Sequence, residues 1–275
     1  MTPRLSFIAI AILSWFITGC SSVFVHPMNT GATAYHASLL KRDTINSRLY
    51  ASGGIGAQMN NGPFRDGGVY GQGNIYNTHR FGMFNAYYGA NISVGNYLVN
   101  KSSTYHNNAA TLYSQYGGNK YFGSWGGSAG INASVPVRKR GKVKGEWRLI
   151  GIHGAFQQDW GSYYRFRQII QPEWVDYVTK SNSLRVIGLS TELVVYKRKP
   201  TYSSIQLQYN FLLGREYRFP EYTYTERSQR IGYFSATLYN HSRKNKSFLQ
   251  LNLGTHDTFS IFWGMNFIIG ASRKK

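Results

Sequence analysis

Apolar and polar residues alternate through most of the chain from residue 48 onward. Between residues 84 and 95 the even positions carry Phe, Ala, Tyr, Ile and Val, whereas the odd positions carry mostly Asn, Gly and Ser. This period of two is typical of β-strands with two different faces. Runs of this kind predict ten strands, over residues 48–60, 67–78, 81–98, 121–137, 146–160, 184–198, 201–214, 230–241, 247–256 and 258–271.

The lengths of these strands and of their connections predict a membrane protein. A tilted strand needs about 9–11 residues to cross a bilayer, and most of the runs are at least that long, whereas globular strands average about 5–6 residues. The long connections, 99–120, 161–183 and 215–229, all lie on one side, and the others on the opposite side are short. We therefore expect an all-β fold, an antiparallel up-and-down transmembrane β-barrel of about ten strands over residues 48–275, with its short turns in the periplasm.

A soluble, lipid-tethered barrel or sandwich is the alternative fold, because its strands alternate in the same way with the apolar face inward. The polar face of these strands is rich in Gly, Ser, Asn and Gln rather than Lys and Glu, which favours the membrane barrel. In that fold Ala90, Ile92 and Leu207 face lipid, and Asn91 and Gln206 face the lumen.

The first 19 residues have the features of an export signal. Arg4 precedes an apolar stretch over residues 5–17, which is shorter than the roughly 20 residues of a spanning helix. The run Ile17-Thr18-Gly19-Cys20 resembles the cleavage box of bacterial lipoproteins. The resemblance implies cleavage before Cys20 and acylation of its thiol and its new amino group. A plain secretory signal is the alternative. Residues 20–47, polar and irregular, are expected to form a lipidated tether.

The cleavage box and the strand layout together resemble the small outer-membrane β-barrel lipoproteins of unassigned role found in Bacteroidota-type bacteria. The resemblance covers nearly the whole chain and carries no catalytic residues. It implies the outer membrane of a Gram-negative bacterium. The lipid on Cys20 and the N-terminus would lie on the periplasmic side, and the barrel exterior would contact membrane lipid.

Basic residues concentrate in the predicted periplasmic turns. Lys and Arg number 31 against 11 Asp and Glu, which gives a formal charge of +20. The turns contain Arg138, Lys139, Arg140, Lys142, Lys144, Lys197, Arg198, Lys199, Arg243, Lys244 and Lys246. Three interpretations stay open: binding to anionic headgroups, binding to an acidic periplasmic partner, or solvation alone. Because an exported protein meets little nucleic acid, we do not predict a nucleic-acid site.

Aromatic residues cluster near the predicted strand ends, as in the aromatic girdles of membrane barrels. One rim has Tyr97, Tyr121, Trp160, Tyr163 and Tyr164, and the other has Trp147, Tyr196, Tyr202 and Tyr239.

The sequence predicts no catalytic, metal or cofactor site. No histidine pair has ligand spacing, and Cys20 is the single cysteine. His256 and Asp257 at an outer hairpin leave a rim hydrolase as the least favoured possibility, because the ten-stranded omptin proteases resemble this layout but their acidic pairs are not reproduced. Glu192, in mid-strand, should face the lumen and needs a partner, for which His153 or a lumen arginine is the candidate.

The expected function is a non-enzymatic structural or partner-binding role in the cell envelope. Ten strands leave an interior filled mainly by side chains, so a wide pore is not expected. A narrow channel or a small-molecule-binding barrel is the alternative.

Overall fold

A computed structural model describes residues 23–24, 35–41, 43, 45–60, 66–99, 115–139, 142–170, 177–197, 201–213, 217–218, 232–242, 245–254 and 258–273. Its elements in chain order are β1 (Val23–Phe24), β2 (Ile45–Asn60), β3 (Asp66–Phe81), β4 (Phe84–Val99), β5 (Gly118–Lys139), β6 (Lys142–Trp160), α1 (Ser162–Ile169), β7 (Tyr177–Thr179), β8 (Ser183–Tyr196), β9 (Tyr202–Leu213), β10 (Tyr217–Arg218), β11 (Gly232–His241), β12 (Lys246–Gly254) and β13 (Phe259–Arg273). The ten long strands confirm the ten that the alternation predicts.

The ten long strands form one closed antiparallel barrel. Each pairs with the next long strand along the chain, and β13 pairs with β2 over Phe259 to Arg273, so the sheet has no free edge. Closure satisfies every strand's backbone hydrogen bonds within the wall, which a lipid-exposed sheet requires. The predicted up-and-down barrel is confirmed.

The two mouths of the barrel differ in their connections. At one mouth, called here the short-turn mouth, the connections are 82–83, 140–141, 197–201 and 242–245, and β2 begins and β13 ends there. At the other, the long-loop mouth, the connections are 61–65, 100–117, 161–182, 214–231 and 255–258. The two-residue turn 82–83 contains Gly82 at φ +61°, a left-handed conformation that glycine adopts without steric penalty.

The barrel wall is polar inside and apolar outside. Ala90, Ile92 and Leu207 are exposed on the outer face, and Ile92 exposes 56% of its surface. Asn91 is buried in the lumen and Gln206 is half-buried. A soluble barrel would bury its apolar face, so the soluble alternative is wrong. An outward apolar face around a polar lumen is the arrangement of a transmembrane barrel.

Only part of the expected aromatic girdles faces outward. Tyr121 and Trp160 are exposed near the long-loop mouth, and Trp147 is exposed near the short-turn mouth. Other members of the predicted girdles point into the lumen instead and are buried there: Tyr97, Tyr163, Tyr202 and Tyr239. Alternation assigns a strand residue to one of two faces, and Tyr97, Tyr202 and Tyr239 occupy polar-face positions, whereas Tyr163 belongs to the helix α1.

The long-loop mouth carries secondary structure that the alternation did not predict. The connection 161–182 contains the helix α1 and the short strand β7. β7 pairs in parallel with β1 and antiparallel with β10, which gives a three-stranded sheet. Among the described residues, no helix is long and apolar enough to cross a bilayer.

Candidate functional site

Residues 35–41, called here the lumen plug, lie inside the barrel near the short-turn mouth. Tyr35, Ala37, Leu39 and Leu40 are at most 2% exposed. The Ala37 N–H donates a hydrogen bond to the Tyr76 hydroxyl at 3.0 Å. This part of the expected tether is therefore not an exposed linker. The barrel interior offers its apolar side chains a site away from water, which favours burial.

A buried ion pair anchors the first residue of the plug. The Arg148 guanidinium donates to the Glu192 carboxylate, and these side chains are only 2% and 3% exposed. The Tyr35 hydroxyl donates to the other carboxylate oxygen at 2.8 Å and contacts Ser204 Oγ at 3.2 Å. Burial raises the pKa of Tyr35, so its hydroxyl keeps the proton that it donates. Hydrogen bonds to a charged acceptor are stronger than neutral ones.

The last residues of the plug are bound to the short-turn mouth itself. The Lys41 N–H donates to the buried carboxylate of Glu146, which also accepts a hydrogen bond from the Tyr196 hydroxyl. The Arg80 guanidinium donates to the Leu40 carbonyl. Arg148 also lies 3.4 Å from the Ser38 carbonyl oxygen through Nη2. The plug therefore contacts the wall along its whole length, through its backbone as well as its side chains.

The predicted pair of Glu192 and His153 does not form. Both side chains are buried, but Glu192 binds Arg148, the lumen arginine that the sequence left as the other candidate. His153 Nε2 instead lies 2.7 Å from Asn210 Oδ1. A guanidinium offers a carboxylate two charged donors in a fixed fork, whereas a buried imidazole is more easily neutral. The Arg148–Glu192 ion pair therefore contacts the plug, whereas the His153 imidazole contacts only another wall residue in these bonds.

A second buried ion pair lies at the long-loop mouth. Arg167 of α1 is fully buried, and its Nη2 lies 2.8 Å from Asp159 Oδ2. Its Nη1 donates to the Thr179 carbonyl at 2.8 Å. Tyr163 of α1 stacks on Tyr97 with ring centroids 4.4 Å apart, and burial raises its pKa. These contacts hold α1 against the lumen side of the strands at this mouth.

Uncharged side chains, polar ones as well as buried aromatic rings such as Phe248 and Phe262, line the lumen between the two ion pairs. Every buried Asp, Glu, Lys or Arg of the described ranges lies near one or the other end of the lumen. Asp66, Asp159 and Arg167 lie at the long-loop mouth, and Glu146, Arg148 and Glu192 lie near the plug. The wall between them carries amides and hydroxyls that bond one another, such as Asn74 to Ser52 at 3.0 Å and Asn252 to Ser260 at 2.8 Å. Some amide atoms, those of Asn91 among them, contact no protein partner within the described chain.

Only some of the basic residues predicted at the turns lie within the described ranges. Arg138, Lys142, Lys144 and Lys197 are exposed at the short-turn mouth, and Lys246 is half-exposed there. Lys139 ends β5 at the same mouth. The strands β5 and β6 extend further than expected, so the turn between them is only 140–141. Arg140, Arg198, Lys199, Arg243 and Lys244 lie outside the described residues, as do Cys20, His256 and Asp257.

No set of three histidine, cysteine or carboxylate side chains able to hold a metal occurs within the described ranges. The structure joins Tyr35 and Arg148 to Glu192 near one mouth, and Arg167 to Asp159 at the other. The sequence did not predict these two groups. The sequence contains one signal for Arg148. Like Glu192, it is a charged residue within a predicted strand, and opposite charges on the lumen face of neighbouring strands are expected to pair because an unpaired buried charge is costly.

Comparisons with known proteins give no family. No family model and no curated protein matches the sequence. Among solved structures, the chain is similar to the transport unit of the autotransporter AIDA-I from Escherichia coli (8% identity, 90% of this chain and 95% of that one, TM-score 0.40). It is also similar to the translocator domain of the autotransporter NalP from Neisseria meningitidis (10% identity, 83% of this chain and 90% of that one, TM-score 0.35). An outer-membrane channel from Pseudomonas putida is similar as well (10% identity, 88% of this chain and 100% of that one, TM-score 0.33). At these TM-scores the likenesses carry no argument about function.

Proposed function

We propose that this chain is a lipid-anchored outer-membrane barrel of a Gram-negative bacterium that acts as a closed scaffold rather than as an open pore. The lumen plug carries this proposal, because its residues are buried across the short-turn mouth and bound to Glu146 and Glu192. The role is non-enzymatic: the connections and rims would bind other envelope components. The outward apolar face supports the membrane location.

Conductance tests the closed scaffold directly. The purified protein, refolded and inserted into planar bilayers, should show no ion conductance, because the plug fills the lumen near the short-turn mouth. Folding is checked first by heat-modifiable gel mobility. Discrete single-channel steps from the unaltered protein would refute the scaffold and support a channel.

The narrow channel stays the second candidate, because one observation favours it. Amides and hydroxyls line part of the lumen between the ion pairs, and some amide atoms, those of Asn91 among them, have no hydrogen-bond partner in the described chain. In that case the plug would have to leave its site. A variant that weakens the plug, Tyr35→Ala, would then conduct, whereas the same change at the exposed Tyr88 on the outer face would not.

The lipid anchor is proposed from the cleavage box at Cys20. Metabolic labelling with a fatty-acid analogue should mark the unaltered protein and not Cys20→Ala. Labelled Cys20→Ala, or an unaltered protein without label, would leave a barrel held in the membrane by its strands alone.

The basic residues at the short-turn mouth are proposed to contact anionic headgroups, which contribute about 1 kcal/mol for each Lys or Arg near the surface. Lys142→Gln with Lys144→Gln should weaken the preference of the folding protein for anionic over neutral vesicles. Arg185→Gln, an exposed arginine toward the other mouth, is the matched control. An equal preference in both variants would favour an acidic protein partner or simple solvation.

A further inference from the structure

The path of the amino-terminal chain shows where a lipid anchor would lie. β1 pairs with β7, with Val23 opposite Tyr177 and Phe24 opposite Val178. β7 belongs to the connection 161–182, which lies at the long-loop mouth. The described residues nearest to Cys20 are therefore at the mouth opposite to the start of β2.

The next described residues of the chain are already inside the barrel. Tyr35 contacts Glu192 and Ser204 in the lumen, and Lys41 reaches Glu146 at the short-turn mouth, where β2 follows at Ile45. The barrel wall is closed by hydrogen bonding all the way round. The described residues on either side of 25–34 therefore lie at the long-loop mouth, for Phe24, and inside the closed wall, for Tyr35.

Chain length agrees with this path. Eleven residue steps separate Phe24 from Tyr35, and an extended chain covers about 3.3–3.6 Å for each residue, which amounts to about 36–40 Å. The hydrocarbon core of a bilayer is about 30 Å thick. The chain is thus long enough to pass from the long-loop mouth to the position of Tyr35.

We propose that the amino-terminal segment passes through the lumen of its own barrel and presents its acylated end at the long-loop mouth, on the outer surface of the membrane. Cys20 is three residues from Val23, about 10 Å of extended chain, and cannot reach the opposite leaflet about 30 Å away. The acyl chains therefore enter the leaflet next to the long connections. This differs from the expectation of a periplasmic N-terminus, which rested on the start of the first barrel strand. The inference depends on the lipid anchor proposed above and on the outward orientation of the long connections expected from the sequence.

This arrangement changes the meaning of the lumen plug. The plug continues into β2 at one end and toward β1 and the lipid at the other. A segment held at both ends cannot leave the lumen without detaching β1 from β7 or drawing the acyl chains out of the bilayer. The plug is then the middle part of a segment that connects the barrel to the outer leaflet. Because this segment stays in the lumen, the barrel stays closed.

Engineered disulfides test the path without relying on lipidation. Val23→Cys with Tyr177→Cys places two cysteines at partner positions of the parallel pair, and a disulfide needs Cα atoms within about 7 Å. The matched control is Val23→Cys with Met83→Cys, because Met83 is exposed in a turn of the short-turn mouth. Oxidation in outer-membrane preparations should link the 23/177 pair and leave the 23/83 pair unlinked. Links in the 23/83 pair alone would overturn the proposal.

Surface labelling gives a second measurement on the full chain in cells. An epitope inserted between residues 22 and 23 should bind antibody on intact cells, whereas one at 141 should bind only after permeabilisation. If the disulfide variants do not show heat-modifiable mobility, this measurement alone decides: an epitope at 22 that needs permeabilisation refutes the proposal. Acyl labelling separates the two claims. A 23/177 link without acyl label refutes the anchor and leaves the path, and acyl label without the link refutes the path and leaves the anchor.

Discussion

Replacing Arg148 by Met should destabilise the barrel strongly, because it leaves the Glu192 carboxylate charged and buried. Both side chains are at most 3% exposed, so water cannot replace the lost partner. Removing one member of a buried pair typically costs about 3–5 kcal/mol. The Tyr35 hydrogen bond at 2.8 Å remains and offsets only part of the loss, because one such bond to a charged group contributes about 1.5–3 kcal/mol.

The double variant Arg148→Met with Glu192→Leu should be more stable than the single variant. It removes both charges, and apolar replacement of a whole buried pair is often neutral or stabilising. The Tyr35 hydroxyl keeps Ser204 as a partner at 3.2 Å. We expect the double variant to regain about 2–3 kcal/mol relative to Arg148→Met. Measured together with Glu192→Leu alone, the cycle should give a coupling energy within the range of about 0.5–3 kcal/mol for residues in one network.

The measurement is denaturant unfolding of the refolded proteins in detergent, followed by tryptophan fluorescence and by heat-modifiable mobility. Arg185→Met is the matched control, since Arg185 is an exposed arginine on the strand that carries Glu192, and it should change the free energy of unfolding by less than about 0.5 kcal/mol. Additive effects of the two substitutions, or a single variant as stable as the control, would refute a buried charge pair that holds the plug.

Three further predictions concern the wall, a turn and the second ion pair. Ile92→Arg, at the middle of β4 on the lipid face, should cost about 2–4 kcal/mol of folding free energy in lipid vesicles, whereas Leu98→Arg near the strand end should cost about 0–1 kcal/mol; equal costs would argue against a lipid-facing wall. Gly82→Val should lower the free energy of unfolding by about 1–2 kcal/mol, because φ is +61° at this position. The control Gly71→Ala should lower it less, because the added Cβ meets only one atom, at 3.9 Å. Arg167→Met should accelerate proteolysis within 161–182 and leave the barrel fragment intact, because Asp159 loses its buried partner; an unchanged cleavage rate would mean that the ion pair does not hold α1.

The wall of the barrel follows from the sequence because its causes are local. A strand with one lipid face and one polar face must alternate, and its length must match the bilayer, so residues 84–95 alone contain both signals. The loop asymmetry between 82–83 and 161–182 likewise comes from counting residues. All ten strands and the outward position of Ile92 could therefore be predicted before any three-dimensional contact was known.

The contents of the lumen could not be predicted in this way. The segment 35–41 has no alternation and few charges. Its burial depends on wall residues far along the chain, such as Ser204, which lies 169 positions from Tyr35. The partner of Glu192 was open between His153 and an arginine because strand register decides which lumen side chains meet, and a pattern of period two is the same in every even register.

Two-residue β1 and three-residue β7 are too short to show any period, so only the tertiary structure places Val23 at the long-loop mouth. The sequence by itself determined that the chain builds a membrane-spanning wall, because lipid outside and a polar lumen inside impose the same alternation on every strand. Which segments occupy the interior, and from which mouth the chain enters it, were decided only by long-range pairing in the folded barrel.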